Sequence, residues 1–327
     1  MATAEPPSPE LQLFYDEVDR FMKDRSKSYN AKSTAEMSRK LKRLGRYIYA
    51  LFISGKVSTM DPALMTYEDL NEFVGYIMSK GLQTSTTRKY ISALAVFLEN
   101  VGNPDIARVR QIVRIGDPPK EVKVLKPHEL NKVLKYVDTM EGWTGSVARG
   151  YIYLAYQTCG RADELRQAKV FDVDLNNLRF FFRYPKGLNV FSNSMWGEMV
   201  FPESTNAIRR YLDERQEYLD ENRAVSDDLF VHMWRGKAVP YSQQTMQRIV
   251  AKVSSGCGVE FTIRMIRASV ATLFLDKDLN NMGAVSRLLR HKDEKITRVF
   301  YDGVNSGRAV KRMVLQSNDV DVMLRDF

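Results

Sequence analysis

The side chains with the clearest potential for chemistry lie in one C-terminal stretch, residues 262–303. Arg264 and Arg267 are three residues apart, so on a helix they share a face and can hold one anion between them. His291 follows two leucines, and Tyr301 comes ten residues after it. Arginine and histidine bind phosphate, and a tyrosine hydroxyl can attack it as a nucleophile. Each residue alone has an ordinary alternative, because most single arginines are solvated charges and most tyrosines pack in a core.

Further polar residues precede this stretch at intervals that suit the same chemistry. In residues 153–175, YLAYQTCGRADELRQAKVFDVDL, an apolar helix is predicted to end at Gly160, and Arg161 follows the break. Glu164 opens the next predicted helix, where it either orients Arg161 or caps the helix. Lys186 stands between two predicted strands. The chain therefore holds arginine, lysine, histidine and tyrosine side chains in a definite order.

This ordered set resembles the active site of the tyrosine recombinases, whose first arginine box usually reads TGLRxxELxxLxWxDID. The resemblance covers residues 125–303 and is carried by six polar side chains in chain order. It implies that Tyr301 is the nucleophile and that five side chains surround the phosphate it attacks. Those five are Arg161, Lys186, Arg264, Arg267 and His291.

Two positions depart from the usual pattern of that family. Most members carry His-x-x-Arg where this chain has Arg264 and, three residues later, Arg267. Most also place the tyrosine nine residues after the histidine, but here the ninth position is Phe300, which has no hydroxyl. The chain resembles the integrases of archaeal viruses and plasmids more closely, because they also tend to replace that histidine with a basic side chain and to shift the tyrosine.

The resemblance implies a metal-free and ATP-free reaction with no other cofactor. Tyr301 would form a 3′-phosphotyrosyl bond that conserves the energy of the broken linkage. Arg161 and Arg267 would bind the non-bridging oxygens, and Lys186 would protonate the departing 5′ oxygen.

The departure at Arg264 affects the proton transfer from the nucleophile. An arginine guanidinium stays protonated near neutrality, so Arg264 offers only a fixed positive charge. We therefore expect His291 or solvent to take the proton of the Tyr301 hydroxyl.

The composition sets wider limits on function. With 327 residues the chain is long enough for two domains with separate cores. A net charge of +9 and a pI of about 9.3 fit a polyanionic partner without requiring one. Two cysteines and three scattered histidines make neither a disulfide framework nor a metal site. Without a predicted membrane span or signal peptide, a cytoplasmic protein is expected. The lack of a nucleotide-binding glycine loop argues against an ATP-driven or dinucleotide-dependent function.

The predicted fold is mainly α with a small antiparallel β-sheet, an α+β arrangement. Residues 1–10 are a proline-rich tail, 11–114 a helical domain, 115–124 a linker with two prolines, and 125–327 the catalytic domain with a C-terminal helical tail. Three strands are predicted in the catalytic domain, at residues 169–174, 178–184 and 197–202. His128 and His232 are interpreted as structural rather than catalytic residues.

The helical domain carries two groups of cations that are candidates for contact with DNA phosphates. Arg39, Lys42, Arg43 and Arg46 lie opposite the apolar face of one predicted helix, and Arg88 and Lys89 lie in the first turns of another. Cations near a helix start oppose the macrodipole, so a phosphate backbone would favour them there. The alternative for the first group is an ordinary solvated face. By pattern alone, these helices resemble the core-binding domain of the tyrosine recombinases.

The resemblance therefore predicts a site-specific DNA recombinase of a mobile element, which cuts and rejoins two duplexes through a Holliday junction. Its partner would be double-stranded DNA with a specific site, bound by a tetramer, while a monomer in solution is left open. A type IB topoisomerase, which uses the same chemistry on one duplex, is the first alternative. A DNA-binding relative without activity is the second.

Overall fold

A computed structural model of the chain describes residues 7–25, 31–105, 123–183, 194–277, 281–291 and 293–299. The chain divides into two compact units, Met1–Pro119 and Lys120–Phe327. Helices dominate both units, and the second also contains small antiparallel sheets. The predicted mainly helical fold with a small sheet is thus confirmed. The predicted linker, the tail and the C-terminal helical segment fall largely outside the described residues.

Four helices with one shared core form the described part of the N-terminal unit. They are α1 (Pro9–Arg25), α2 (Ala31–Ile53), α3 (Tyr67–Ser79) and α4 (Thr84–Asn100). Helix α2 buries Leu41, Leu44 and Ile48 at intervals of three and four, which is the spacing of one helical face. Some apolar residues of these helices stay outside this core: Met78 is 52% exposed, one step round the helix from buried Ile77, and Val96 is only partly buried, unlike its neighbour Phe97.

Helix α3 begins at a capping box that also fastens the preceding loop. Thr66 accepts a hydrogen bond from the Asp69 amide at 3.3 Å, and the Asp69 carboxylate accepts one from the Thr66 amide at 3.0 Å. The same carboxylate accepts from the amide and hydroxyl of Ser58, at 2.6 and 2.8 Å. Burial alone would raise the pKa of Asp69, but these donors outweigh it and lower the pKa.

The C-terminal unit surrounds one nearly buried helix, α6. The elements are α5 (Pro127–Thr139), α6 (Gly142–Thr158), α7 (Ala162–Arg166), β1 (Val173–Asp174), β2 (Arg179–Phe182), β3 (Met195–Glu198), α8 (Asn206–Glu221), β4 (Val231–Trp234), β5 (Lys237–Pro240), α9 (Gln243–Cys257), α10 (Ile263–Lys277) and α11 (Met282–Leu288); residues 294–299 are also helical. Helix α6 packs against α5, α8 and α10. Its apolar composition suits this central position.

The three-stranded sheet has the order β1-β2-β3, with both pairs antiparallel. The first predicted strand, residues 169–174, keeps only two residues, because a 3₁₀ turn forms at 170–172 and the Asp172 carboxylate accepts from the Lys169 amide at 2.7 Å. The bounds of the third predicted strand, residues 197–202, were wrong. The strand spans 195–198 instead, and Pro202, which has no amide hydrogen to donate, begins another 3₁₀ turn.

None of the helices in the described ranges combines the length and the apolar character that a membrane crossing requires.

Candidate active site

The described residues bring together three of the predicted catalytic residues and the predicted orienting residue Glu164, while the other catalytic residues lie apart or outside the described residues. Arg161, Arg267 and His291 lie in one cluster, joined by Glu164 and by Arg290. Arg264 lies on the same helix as Arg267 but outside this cluster. The nucleophile candidate Tyr301, its neighbour Phe300 and the candidate acid Lys186 all lie outside the described residues.

The end of α6 supplies the centre of the cluster. Cys159, at φ +49°, closes the helix in the left-handed conformation, and its carbonyl oxygen is free of helix partners. Arg267 Nη1 donates to this oxygen at 2.5 Å, and Arg290 Nη2 donates to it at 2.9 Å. Gly160 follows, and a Cβ there would lie 2.2 Å from Leu165 Cδ2, so only glycine fits. This close packing fixes where the backbone turns into Arg161.

Arg161 is held by the carboxylate of Glu164 in two ways. The Arg161 amide donates to Oε2 at 2.9 Å, and Nη1 donates to Oε1 at 2.7 Å. The carboxylate therefore caps α7 and orients the guanidinium at the same time. Burial would raise the pKa of Glu164, but the charges of Arg290 and Arg161 outweigh it and lower the pKa. Glu164 is thus a carboxylate in this site, with a side chain only 3% exposed.

Arg267 points inward from α10 and is only 8% exposed. Besides the Cys159 carbonyl, it donates from Nη2 to the Leu289 carbonyl, and the same nitrogen lies 3.3 Å from His291 Nε2. Burial is the main cause that lowers the pKa of Arg267 to about 9, with the charges of Arg161 and Arg290 adding to it. The guanidinium still carries its charge at neutral pH.

The contacts of His291 define its protonation state. An arginine nitrogen only donates, so His291 Nε2 must be the acceptor towards Arg267, and Nδ1 then carries the hydrogen. Nδ1 lies 2.8 Å from Thr297 Oγ1, which can accept that hydrogen. Burial, followed by the charges of Arg267, Arg161 and Arg290, lowers the pKa of His291 to about 4. The imidazole is therefore neutral at pH 7, with its Nε2 lone pair facing the arginines.

Arg290 is a member of the cluster that sequence reasoning missed. Its guanidinium is buried, contacts Glu164, and lies 3.5 Å from the centroid of the Phe182 ring. Its backbone is left-handed, with φ +52°. No spacing rule marks such a residue, because its partners Thr158, Cys159 and Glu164 are more than 120 positions away in the sequence. The only local signal is a cation directly beside His291.

Arg264 lies on the same helix as Arg267 but differs from it in exposure, in partners and in surroundings. It is exposed, and it makes no hydrogen bond or ion pair with the described residues. It lines a cavity of about 580 Å³, whose wall also includes Arg166 and Gln243. The two arginines expected to share one anion are therefore one solvated side chain and one buried side chain.

The charges in the cluster do not balance. Arg161, Arg267 and Arg290 contribute three positive charges, Glu164 contributes one negative charge, and His291 is neutral, which leaves a net charge of +2. Buried charge of one sign is costly unless a counter-ion is bound. Within the described ranges, no group of three metal-ligating side chains could hold a metal ion. The cluster is therefore suited to bind an anion.

The predicted DNA-binding cations of the N-terminal unit lie on α2 and α4. Arg39, Arg43, Arg46 and Lys89 are exposed, and Lys42 and Arg88 are partly buried. Arg43 Nη1 donates to the Tyr90 hydroxyl at 3.0 Å, which raises the pKa of Arg43, and Lys42 Nζ lies 2.8 Å from Asp19. These partners hold the side chains loosely at the surface.

The two remaining histidines have no place in the cluster. His128 is exposed near the start of α5, whereas His232 on β4 packs against Tyr241 with tilted rings whose centroids are 4.9 Å apart.

Comparison with known proteins gives a consistent result. Residues 123–306 match the phage integrase family. A stretch of 116 residues is 31% identical to tyrosine recombinase XerC of Staphylococcus carnosus (strain TM300), covering 34% of this chain and 38% of that protein. The chain thus matches well under half of that relative's length.

Solved structures of similar fold include proteins bound to DNA. XerH site-specific recombinase bound to its difH substrate aligns with a TM-score of 0.63 at 17% identity, covering 91% of this chain and 95% of that one. Lambda integrase (residues 75–356) bound to DNA aligns with a TM-score of 0.61 at 15% identity, covering 90% of this chain and 97% of that one. At these identities the similarity establishes the fold.

Proposed function

We propose, from the premise that this chain belongs to the phage integrase family, that it is a site-specific DNA recombinase. It cuts and rejoins DNA strands through a covalent 3′-phosphotyrosyl intermediate on Tyr301. The observation that carries this proposal is the cluster of Arg161, Glu164, Arg267, Arg290 and His291, whose buried excess of positive charge suits one phosphate. The solved structures of similar fold are recombinases and integrases, which favours this function over a type IB topoisomerase.

Arg161 and Arg267 have donors left for the non-bridging oxygens of that phosphate. Arg161 uses one guanidinium hydrogen for Glu164, and its side chain is 27% exposed. Arg267 keeps one hydrogen on Nη1 after its bond to the Cys159 carbonyl. Both guanidiniums are held in place before the substrate arrives, so they stabilise the charge of the pentacoordinate phosphate without reorganising. One such donor typically contributes about 10²–10³ in rate.

His291 is the proton acceptor in this proposal. Among the described residues, only Arg267 approaches its Nε2, and this hydrogen bond of 3.3 Å is long enough to give way to the proton of Tyr301. A bound phosphodiester adds a negative charge beside the imidazole, which raises the pKa of His291 from about 4 towards its ordinary range. Substrate binding therefore makes this histidine a better base.

The remaining steps rest on the family resemblance. The Tyr301 oxygen bonds to phosphorus, its proton goes to His291, and the bond from phosphorus to the 5′ oxygen breaks. Lys186 gives the proton that the 5′ oxygen needs, and Arg264 adds a fixed positive charge. Religation is the reverse of these steps, so neither ATP nor a metal ion enters them.

We further propose that four subunits hold two duplexes and pass through a Holliday junction. Cations of α2 and α4 would contact phosphates on the duplex. The basic Arg264 and the late Tyr301 favour a mobile element of archaeal type. The protein would act in the cytoplasm on DNA, and whether it integrates, excises or inverts depends on the arrangement of its sites.

The direct test traps the covalent intermediate. The purified protein is incubated with labelled, fragmented genomic DNA of the organism that encodes it, and denaturant-resistant adducts are measured for wild type and Tyr301→Phe. We expect adducts with wild type only, and sequencing of the trapped ends then gives the target site. Adducts with both proteins would assign the nucleophile to another residue.

A supercoiled plasmid without the target site separates the alternatives. Efficient relaxation by wild type would support a type IB topoisomerase in place of a recombinase. Absence of both relaxation and adducts would support a DNA-binding relative without activity.

A further inference from the structure

Arg290 uses all the hydrogens of its two terminal nitrogens inside the protein. Nη1 donates to the Thr158 carbonyl at 3.2 Å and to the Leu288 carbonyl at 2.9 Å. Nη2 donates to the Cys159 carbonyl at 2.9 Å and to Glu164 Oε2 at 3.2 Å. The fifth hydrogen, on the buried Nε, has no acceptor among the described residues. Arg290 therefore has no terminal donor left for a phosphate, in contrast to Arg161.

The surroundings of Arg290 are shaped to hold a flat cation. The guanidinium carbon lies 3.5 Å from the ring centroid of Phe182, a favourable cation–π distance. Phe182 is itself fixed by an edge contact with Phe180, with centroids 4.8 Å apart. On the neighbouring strand, a Cβ at Gly197 would lie 2.7 Å from the Phe182 ring and 3.8 Å from Arg290 Nη1. The space that Phe182 and Arg290 occupy therefore depends on glycine at position 197.

The backbone at Arg290 is in a conformation that favours glycine. Its φ of +52° brings Cβ close to the backbone, which disfavours any residue with a side chain. The same turn is closed by hydrogen bonds from the Arg290 amide to the Arg287 carbonyl at 2.9 Å and from the His291 amide to the Ser286 carbonyl at 3.1 Å. A glycine would satisfy this backbone equally well but would remove the guanidinium.

We propose that Arg290 is a positioning residue of the active site, which joins the end of α6, Glu164 and the turn carrying His291 and thereby sets the orientation of Arg161. This inference rests on the proposed function. Arg290 and Arg161 bind the same carboxylate of Glu164, so the two guanidiniums are linked through one side chain. Loss of Arg290 frees the Glu164 side chain to rotate. The Arg161 guanidinium is then no longer held in the orientation that faces the phosphate.

Arg290 also acts on His291 through its charge. Among the described residues, the charges that lower the pKa of the imidazole are those of Arg267 on α10, Arg161 at the start of α7 and Arg290 of its own turn. Glu164 pairs with both Arg161 and Arg290. The Cys159 thiol nearby is neutral, since burial raises its pKa to about 11. Removal of Arg290 removes one of the positive charges that keep the imidazole unprotonated. The pKa of His291 is therefore a readout that a purely structural role of Arg290 would not change.

The test compares Arg290→Gln with Arg287→Gln, an exposed arginine three residues earlier that serves as the matched control. The chain has three histidines, so proton NMR resolves their titrations, and the signal of His291 is assigned by its loss in His291→Gln. We expect the pKa of His291 to rise by roughly half a unit in Arg290→Gln, because Arg290 is the weakest of the three arginine charges that lower it, and to stay unchanged in Arg287→Gln. This measurement needs no DNA.

Strand cleavage supplies the second readout, on the target recovered by the adduct trap. Arg290→Gln should cleave saturating DNA roughly 10- to 100-fold more slowly than wild type, because Arg161 is misplaced, while its Kd for DNA stays within about twofold. Arg290→Lys keeps the charge but cannot reach Thr158, Cys159 and Glu164 together. It should leave the His291 titration near wild type and still slow cleavage.

Cleavage and the histidine titration together decide whether Arg290 is a positioning residue. A folded Arg290→Gln with wild-type cleavage, or with an unchanged His291 titration, would overturn it. If Arg290→Gln melts too low for study, Arg290→Gly, which suits the backbone of the turn, replaces it with the same expected results. If wild type itself forms no DNA adduct, the recombinase proposal fails, whereas the histidine titration still decides whether Arg290 acts on the site.

Discussion

On α2 of the N-terminal unit, Arg39, Arg43 and Arg46 extend into solvent, whereas Arg267 and Arg290 of the C-terminal unit are only 8% and 9% exposed. Among the described residues, Arg43 donates to the Tyr90 hydroxyl and Arg39 donates to the Ala35 carbonyl of its own helix. The buried pair is held by backbone carbonyls and by Glu164. The same residue type is thus placed loosely in one unit and rigidly in the other.

This difference in placement corresponds to two ways of using positive charge on a phosphate. A solvated cation interacts through water, is screened by salt, and contributes little positional precision. A buried guanidinium with fixed partners acts at low dielectric and is already oriented when charge develops on the phosphate. We therefore expect the α2 cations to govern affinity and its salt dependence, and the buried cluster to govern the rate of cleavage.

The largest effect should come from Arg161→Ala. Loss of a pre-oriented donor to the phosphate should lower the rate of adduct formation by about 10²–10³ with little change in DNA affinity. Single-turnover cleavage and a binding titration measure the two quantities separately. Arg210→Ala, at an exposed arginine of α8, is the control and should match wild type. Equal losses of rate and affinity would break the distinction between the two regions.

Glu164→Gln should have the next largest effect, on stability. Its carboxylate is the negative charge between Arg161 and Arg290, so its loss leaves buried positive charge without a partner. Breaking such a pair typically costs about 3–5 kcal/mol in the free energy of unfolding. Urea unfolding compares this variant with Glu217→Gln, at an exposed position of α8, for which no change is expected.

His291→Ala should lower cleavage roughly a hundredfold at neutral pH, because it removes the proton acceptor. The folded-state pKa of His291 is about 4, below its ordinary value of 6.5. The unfolded chain therefore binds a proton at a higher pH than the folded chain, and stability falls as pH drops from about 6.5 to 4. Chemical unfolding at several pH values should show this loss, on the order of 1 kcal/mol after allowance for solvent screening, in wild type but not in His291→Gln.

The double substitution of Arg43→Gln and Arg46→Gln should weaken DNA binding several-fold. If each cation contacts one phosphate, the slope of log K against log salt should decrease by about 0.9 per residue. Fluorescence anisotropy with a generic duplex at several salt concentrations measures this slope. Arg20→Gln, an exposed cation of α1 that pairs with Glu17, is the control and should keep the wild-type slope.

Arg264→Lys should have the smallest effect, within about threefold in cleavage. The charge is kept, and Arg264 has no fixed partner among the described residues to lose. Cleavage on the recovered target, measured beside His291→Ala, provides the comparison. A loss as severe as that of His291→Ala would show that Arg264 takes part in the buried network when DNA is bound.

The local parts of this site could be predicted from sequence, and the distant parts could not. Arg161 and Glu164 are three positions apart at a helix start, so their contact follows from helix geometry. The helices of both units follow from apolar residues spaced at three and four. Arg290 escaped prediction because its partners Thr158, Cys159 and Glu164 become neighbours only when α6 and the His291 turn pack together.

The sheet shows a second limit of prediction. Strand patterns at residues 169–174 and 197–202 were apolar enough to read as β-structure, but side-chain hydrogen bonds and a proline created 3₁₀ turns there. The Asp172 carboxylate, which is buried, accepts from the Lys169 amide and also pairs with Arg183 at 2.6 Å. Such competition between a side chain and the β-ladder for one amide is decided by tertiary contacts.

The thiol of Cys159, at the end of α6, is buried beside the arginine cluster, and this position controls its reaction with alkylating reagents. Its thiol is fully buried, and burial raises its pKa to about 11 despite the nearby charges of Arg267 and Arg290. Alkylating reagents react with the thiolate, so this cysteine stays inert while the arginine cluster is closed. Its rate of alkylation therefore reports how often the cluster opens, and binding of a phosphate in the cluster should slow that rate.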